Sequence, residues 1–564
     1  MVFPFTGNLF PNTDYNKINL DWILDEMKQD REDIDSLKEE VDSLADSSFS
    51  AEGANLGDLA IAKGDDTWTW ANIGLVTPEM FGAAGDGITD DTTALLQTFE
   101  SGANVVRLKR GATYLVSNPV VEDVNNLTVI GYGATIKVKK EFEFISYIQR
   151  CCLNLQNCTN VKFEGVTFDA SWREIKTYHN LAVDTTLENY CVRLLEGNSD
   201  ITFYKCVFGN QLRVCLQTQG SYMGGTPPVI DTDFIPNKNI DIGFCTFGWN
   251  YEPGLHNGAI QMLELPQVAT DVNAKIHDNI ILKSGVHGIH VYYGNNNIVI
   301  ENNVVLDSGH CVLEDYYIGG GTVIFGYGIE VTSCNKATIK NNLVRNFIAG
   351  GIAVFNDSWY TAGDIHDIFI ESNVVEQEPS YSTDLRGHGI LLSHANSGVI
   401  SNNTCKSVYR TANVGSGVYA ILVSESEYAT ASGNIVSDCE NGFGFMVSKN
   451  VSCEHNQIYA LNNRQGNNVT LGVNFYSTEN ISCANNIIDK GDSTSTKFDG
   501  IQISAVVLVV LSGNVFKGLR YGIKDNNTTV TNATVFGSVF QTVSNKYVWW
   551  GTHTDLYVDF VAVT

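Results

Sequence analysis

The chain has 564 residues, 17% of them charged, with 51 glycines, 10% aromatics and a formal net charge of -28. That length admits several ordinary domains or one long solenoid, and the glycine and aromatic content suits a β-rich, loop-decorated surface. The acidic balance excludes nucleic acid and anionic membranes as natural partners, and it disfavours an anionic polymer unless a bound cation or a local basic patch compensates.

Met1 to Phe10 carries no basic residue ahead of its apolar stretch, so no secretory signal is read there. No apolar run approaches a membrane span, and Ala505 to Leu511 reads as a buried strand. From Leu20 a heptad sets in. Leu20, Met27, Ile34 and Val41 share one core position, and Ile23, Asp30, Leu37 and Leu44 share the other. The spacing predicts a coiled-coil helix, with Asp30 as the polar core residue that sets register. Residues 1–48 therefore form an N-terminal segment and stalk, and 49–76 a neck. In the neck, Asp58 to Ile73 reads as a hairpin around Gly64-Asp65-Asp66, with Trp68 and Trp70 on one face.

Next comes Phe81-Gly82-Ala83-Ala84-Gly85-Asp86-Gly87-Ile88-Thr89-Asp90-Asp91-Thr92, then Arg107-Leu108-Lys109-Arg110-Gly111-Ala112-Thr113-Tyr114-Leu115-Val116. The glycines suit a tight turn, and Asp90 or Asp91 can cap a helix starting at Thr92. Leu95, Leu96 and Phe99 on that helix would plug the open end of a solenoid. The acidic run is read as structural, not catalytic.

A repeat then takes over. An apolar residue, a polar pair, an asparagine and further apolar residues recur at Ile276 to Ile281, Ile300 to Val305, Ile339 to Val344 and Ile370 to Val375. Looser copies centre on Asn403, Asn434, Asn456, Asn486 and Asn514, and earlier coils are read at 127–136, 161–168, 201–208 and 240–247. Between asparagines lies a second run, as in Gly288-Ile289-His290-Val291, Gly328-Ile329-Glu330-Val331 and Gly351-Ile352-Ala353-Val354. Short Val- and Ile-rich strands joined by Asn and Gly turns, repeated along the chain, give an all-β fold, a parallel β-helix. Each asparagine would stack on the next, its amide donating and accepting along the stack. The solenoid is assigned to 77–530, and the Val-, Tyr- and Trp-rich residues 531–564 to a C-terminal β cap. The 13 cysteines include no CxxC pair, and Cys206, Cys245, Cys453 and Cys483 fall on the repeat. They read as buried free thiols, which implies folding in a reducing compartment.

The opening motif at 81–92 and its continuation at 107–116 resemble the start of pectate-lyase-superfamily right-handed β-helices, as found in bacteriophage tailspikes. The resemblance implies a right-handed coil, usually a homotrimer, that binds and often cleaves a bacterial surface polysaccharide. It also implies virion attachment through the N-terminus, and hence folding in the host bacterial cytoplasm.

Strand alternation turns the third residue of Gly-apolar-x-apolar outward. The resulting stripe reads Gln261, His290, Glu330, Ala353, Leu391, Leu422, a position near Phe445, Asn474 and Gln502. His290 and Glu330 are neighbours on it, and long inserted loops border the same coils. The candidate catalytic residues are Glu330, Glu314, Asp315, Asp357 and His290. Two carboxyl groups about 5 to 9.5 Å apart would hydrolyse a glycoside, one of them kept protonated by an apolar setting. Tyr316, Tyr317, Trp359, Tyr360, Asp384 and Arg386 are the candidate glycan contacts. Gly387-His388-Gly389 is similar to the Gly-His-Gly of polygalacturonases, but the accompanying Asn-Thr-Asp and Asp-Asp are missing, so His388 is read as a chance match. No cofactor and no metal site is read. The leading reading is a glycan hydrolase; a polysaccharide lyase with His290 as base, a teichoic-acid phosphodiesterase and a non-catalytic adhesin are the alternatives.

Leu391 and Leu422 on the stripe are apolar positions that need cover, and the heptad suits three strands. Sedimentation of the full chain should therefore give three times the 61.8 kDa chain mass; a monomer mass would remove the trimer.

Overall fold

The computed structural model describes residues 75–548, apart from 144–148, 182–186, 219–233, 250–257, 264–269, 293–294, 310–325, 357–364, 379–386, 410–416, 463–468, 494, 496 and 527. It also describes short strands at 60–62, 68–70, 553–554 and 557–560. The chain divides into two compact units, Met1–Ala71 and Asn72–Thr564. In the first, Ala60–Ala62 pairs antiparallel with Trp68–Trp70, the hairpin expected there. The heptad at 20–44 lies outside the described residues. Among the described residues, no helix is long and apolar enough to cross a membrane.

The second unit is a parallel β-helix whose coils each contribute to three sheets. In one coil, Ile298–Glu301 enters the first sheet, Val304–Ser308 the second and Tyr327–Thr332 the third. The next coil repeats the order with Ala337–Lys340, Leu343–Phe347 and Gly350–Phe355, each pairing in parallel with its counterpart. The third sheet runs through 15 strands. Val530–Gln541 pairs with both preceding strands of the first and second sheets, and Asn545–Val548 with the third. Coil stacking thus continues beyond residue 530.

The asparagine ladder holds the first bend. Asn279, Asn303, Asn342, Asn373, Asn403, Asn434, Asn456, Asn486 and Asn514 are all buried. Each side-chain oxygen from Asn303 onward accepts both the backbone N–H and the Nδ2–H of the preceding member; Asn373 Oδ1 does so at 3.0 and 2.9 Å from Asn342. The same Nδ2 donates to a carbonyl of the previous turn, as Asn342 does to Ile300 at 2.9 Å. The ladder side chains therefore pair with the protein itself and satisfy the turn N–H groups below them, which buried backbone requires. Earlier in the chain a thiol replaces the amide. Cys245 Sγ accepts the Cys206 N–H at 3.4 Å, and the Cys245 N–H passes to Asn279 Oδ1 at 2.9 Å. All 12 described cysteines are free and buried. Burial pushes thiols such as Cys405 well above the ordinary thiol range, leaving them inert.

The N-terminal plug forms as expected. Thr92–Phe99 is a helix that buries Leu95 and Phe99 and packs Leu96 against the core. Asp90, not Asp91, accepts the Thr92 N–H at 3.1 Å. Asp91 turns back to accept the Ala84 and Gly85 N–H groups at 2.7 and 3.1 Å, closing the glycine turn. The acidic run is thus spent on backbone. A second helix, Trp172–His179, was not legible in the sequence; it is an insertion that buries Trp172 and Ile175.

The third-sheet glycines answer a close approach. A Cβ on Gly351 would lie 2.3 Å from Val375 Cγ1 in the core and 2.6 Å from the Gly389 carbonyl oxygen in the next coil. Gly288 and Gly328 face the same two obstacles. Gly351→Ala should lower stability by about 1–3 kcal/mol through overpacking. Asn373→Leu should cost roughly as much for each buried partner left unsatisfied on Asn342 and the Ile339 carbonyl. Denaturant midpoints check both, and wild-type midpoints in either variant would contradict the ladder's role.

Candidate functional site

The outward stripe of the third sheet is continuous. Parallel pairing aligns Arg193, Gln217, Gln261, His290 and Glu330, then Ala353, Leu391, Leu422, Gly444, Asn474, Gln502 and Lys524. The stripe is as expected with one correction: Gly444 occupies the position read as near Phe445, because Phe445 points into the core. A second correction concerns Leu422, expected to be exposed; it is buried within the chain, 8% accessible, where glycine at 444 leaves room for its side chain. It therefore gives no support to a subunit contact.

The polar half begins as a hydrogen-bonded row. Arg193 donates to Gln149 at 2.9 Å and to Gln217 at 3.3 Å, and Gln217 donates to Gln261 at 2.7 Å. The row ends on three buried ionisable groups. Glu330 Oε2 lies 3.0 Å from His287 Nδ1, and Glu330 Oε1 lies 3.1 Å from His290 Nε2. Thr332 Oγ1 donates to Oε1 at 3.0 Å. The His287 ring stacks on Tyr327 at 5.9 Å, and the His290 ring packs against Tyr292. Burial alone would push the Glu330 carboxyl up. The imidazole charges on His290 and then His287, with the Thr332 hydrogen bond, outweigh burial and hold it down at about 2.

Glu330 and His290 thus meet, as the repeat implied. Glu330 is the ionised member of the site, so the protonated carboxyl of a hydrolytic pair would be the other one. Glu314, Asp315, Asp357, Tyr316, Tyr317, Trp359, Tyr360, Asp384 and Arg386 lie outside the described residues. His287 escaped the sequence reading because strict alternation puts it on the core side. Gly288 and Ile289 both turn inward, with a Gly288 Cβ placed 2.5 Å from core Val305. The alternation slips by one residue, and His287 emerges on the outer face beside His290, ring centroids 4.3 Å apart. A histidine immediately before the glycine was the available signal.

A family model described as a right handed beta helix region matches residues 267–458. The fold is a right-handed parallel β-helix. Over 459 residues the chain is 20% identical to a capsule K30/K69-specific depolymerase of Klebsiella phage K64-1, covering 78% of this chain and 51% of that protein. It therefore spans about half the length of that curated relative. Among solved structures, pre-mature gene product 12 of bacteriophage phi29 is similar with a TM-score of 0.52 at 14% identity, over 85% of this chain and 57% of that one. Tailspike protein 3 of bacteriophage CBA120 gives a TM-score of 0.42 at 12% identity, over 82% of this chain and 61% of that one.

In this β-helix His388 is a structural residue. Its Nδ1 accepts the Tyr419 N–H at 3.1 Å and its ring stacks on Tyr419. Burial lowers its pKa from 6.5 to about 4. The unfolded chain takes up a proton near pH 6.5 that the folded chain refuses until about pH 4, so stability is lost as pH falls through that window. Denaturant midpoints at pH 7.5 and 4.5 should fall more for the wild type than for His388→Gln, which keeps an acceptor and cannot titrate. Equal falls would contradict the assignment.

Proposed function

We propose that this chain is the receptor-binding part of a phage tailspike, which attaches to a bacterial surface polysaccharide and degrades it. The observation that carries this reading is the buried Glu330–His287–His290 cluster at the end of a polar row on a rigid outer face. The likeness to a phage capsule depolymerase supports the substrate class. Residues 1–48 would join the virion as a trimeric stalk, and the chain would fold in the host cytoplasm as a homotrimer.

The chemistry is assigned to the outer face of the third sheet. Glu330 supplies its fixed negative charge, with the two imidazoles beside it. A rigid strand keeps these groups in place, which precise chemistry requires. Glu314, Asp315 and Asp357, on the bordering loops, would supply the second carboxyl group of a hydrolytic reaction, here as proton donor. Tyr316, Tyr317, Trp359 and Tyr360 would stack on sugar faces, and Asp384 and Arg386 would bind hydroxyl or acidic groups. Elimination is the second reading, favoured by an imidazole already oriented by a carboxylate, as a proton-abstracting base needs.

Glu330→Gln keeps the shape of the side chain and removes its charge. On host capsule or wall glycan, turnover by this variant should fall about 100-fold or more, with glycan binding retained. New reducing ends without absorbance from an unsaturated product identify hydrolysis; that absorbance identifies elimination. Wild-type turnover by Glu330→Gln would move the site elsewhere, and binding without cleavage by the parent protein would leave an adhesin.

A further inference from the structure

We propose that His287, His290 and Glu330 bind a divalent transition-metal ion. The inference deepens the proposed function, on whose site it rests, by naming what carries the positive charge there. Among the described residues these three form a group of potential ligands whose donor atoms all lie within 4.8 Å of one another. Two imidazole nitrogens and one carboxylate, with positions left open for water or substrate, form a donor set suited to zinc or iron-class ions and not to calcium or magnesium, which prefer all-oxygen shells.

The geometry is suitable. Glu330 offers one oxygen to each histidine, at 3.0 and 3.1 Å. Ligand atoms held about 2.1 Å from a common centre at right angles stand roughly 3.0 Å apart. His290 Nε2 is buried and meets Glu330 Oε1 without the alignment of a hydrogen bond. A ring nitrogen aimed at a carboxylate but not bonded to it is poised to donate its lone pair to a cation between them. Thr332 Oγ1 holds the carboxylate from the side, as groups supporting metal ligands do. Glu330 and His290 sit directly opposite each other on paired strands, so the gap between them is fixed by the coil spacing.

The ion also answers a charge problem. A chain of net charge -28 repels an acidic glycan. A divalent ion bound by one carboxylate and two neutral imidazoles leaves a local net charge of +1, which would draw in a carboxylate or phosphate of the polymer and polarise it.

The test uses untagged full-length protein, stripped with chelator and titrated with Zn²⁺ and with Co²⁺. Elemental analysis should find one equivalent per chain, and bound Co²⁺ should show visible ligand-field bands. Glu330→Gln and His290→Ala should each weaken binding at least about tenfold, with unchanged circular dichroism. Glu330→Gln is close to isosteric, so it keeps the test valid if His290→Ala fails to fold. Wild-type uptake no greater than that of the variants, or equal uptake by all three, overturns the proposal. Glycan cleavage is followed in the same samples. Cleavage by protein that takes up no metal removes the ion and keeps the enzyme; stoichiometric uptake without cleavage keeps the ion and removes the enzyme.

Discussion

Everything in this molecule depends on stacking one coil on the next at a fixed phase, and the buried asparagine amide is the interaction that enforces it. A β-helix has no closed core that fixes its length, and each coil could slide relative to its neighbour. A one-residue slip would turn core side chains into solvent. The ladder amide resists that slip because its oxygen and its N–H groups are both committed, up to the next coil and back to the last. An apolar residue there would strand a carbonyl and an amide; an aspartate would strand a charge. The switch from cysteine to asparagine between Cys245 and Asn279 shows that the requirement is an acceptor aimed along the axis.

With phase fixed, function can be distributed over residues far apart in sequence. His290 and Glu330 stand 40 residues apart in the sequence, yet they pair across the third sheet as next neighbours. Loops may lengthen between coils without disturbing that pairing, since the ladder is regained after every insertion. The same logic separates the two halves of the outer stripe. Up to Glu330 it is polar, and hydrogen-bonded from Arg193 to Gln261; from Ala353 to Gly444 it is apolar or bare. The proposed site sits at that change of character.

What was legible in the sequence follows the same division. The ladder asparagines, the third-sheet glycines and the adjacency of His290 and Glu330 could be read because each depends on phase alone. His287 could not, because the double inward turn at Gly288 and Ile289 breaks the alternation on which the reading relied. The Trp172–His179 helix was missed because an insertion has no phase to obey. The stripe position of Leu422 implies exposure, but the space left by Gly444 in the next coil lets it bury. The ionised state of Glu330 also lay beyond the sequence, since it depends on two rings brought in from the preceding coil.

The most direct test of the whole account is an experimental structure of the full chain with a fragment of its host glycan. The account predicts that the fragment lies along the outer face of the third sheet, following Arg193, Gln217 and Gln261, with its reacting bond beside Glu330 and His290. A fragment bound on the first or second sheet, with the Glu330 cluster untouched, would contradict it.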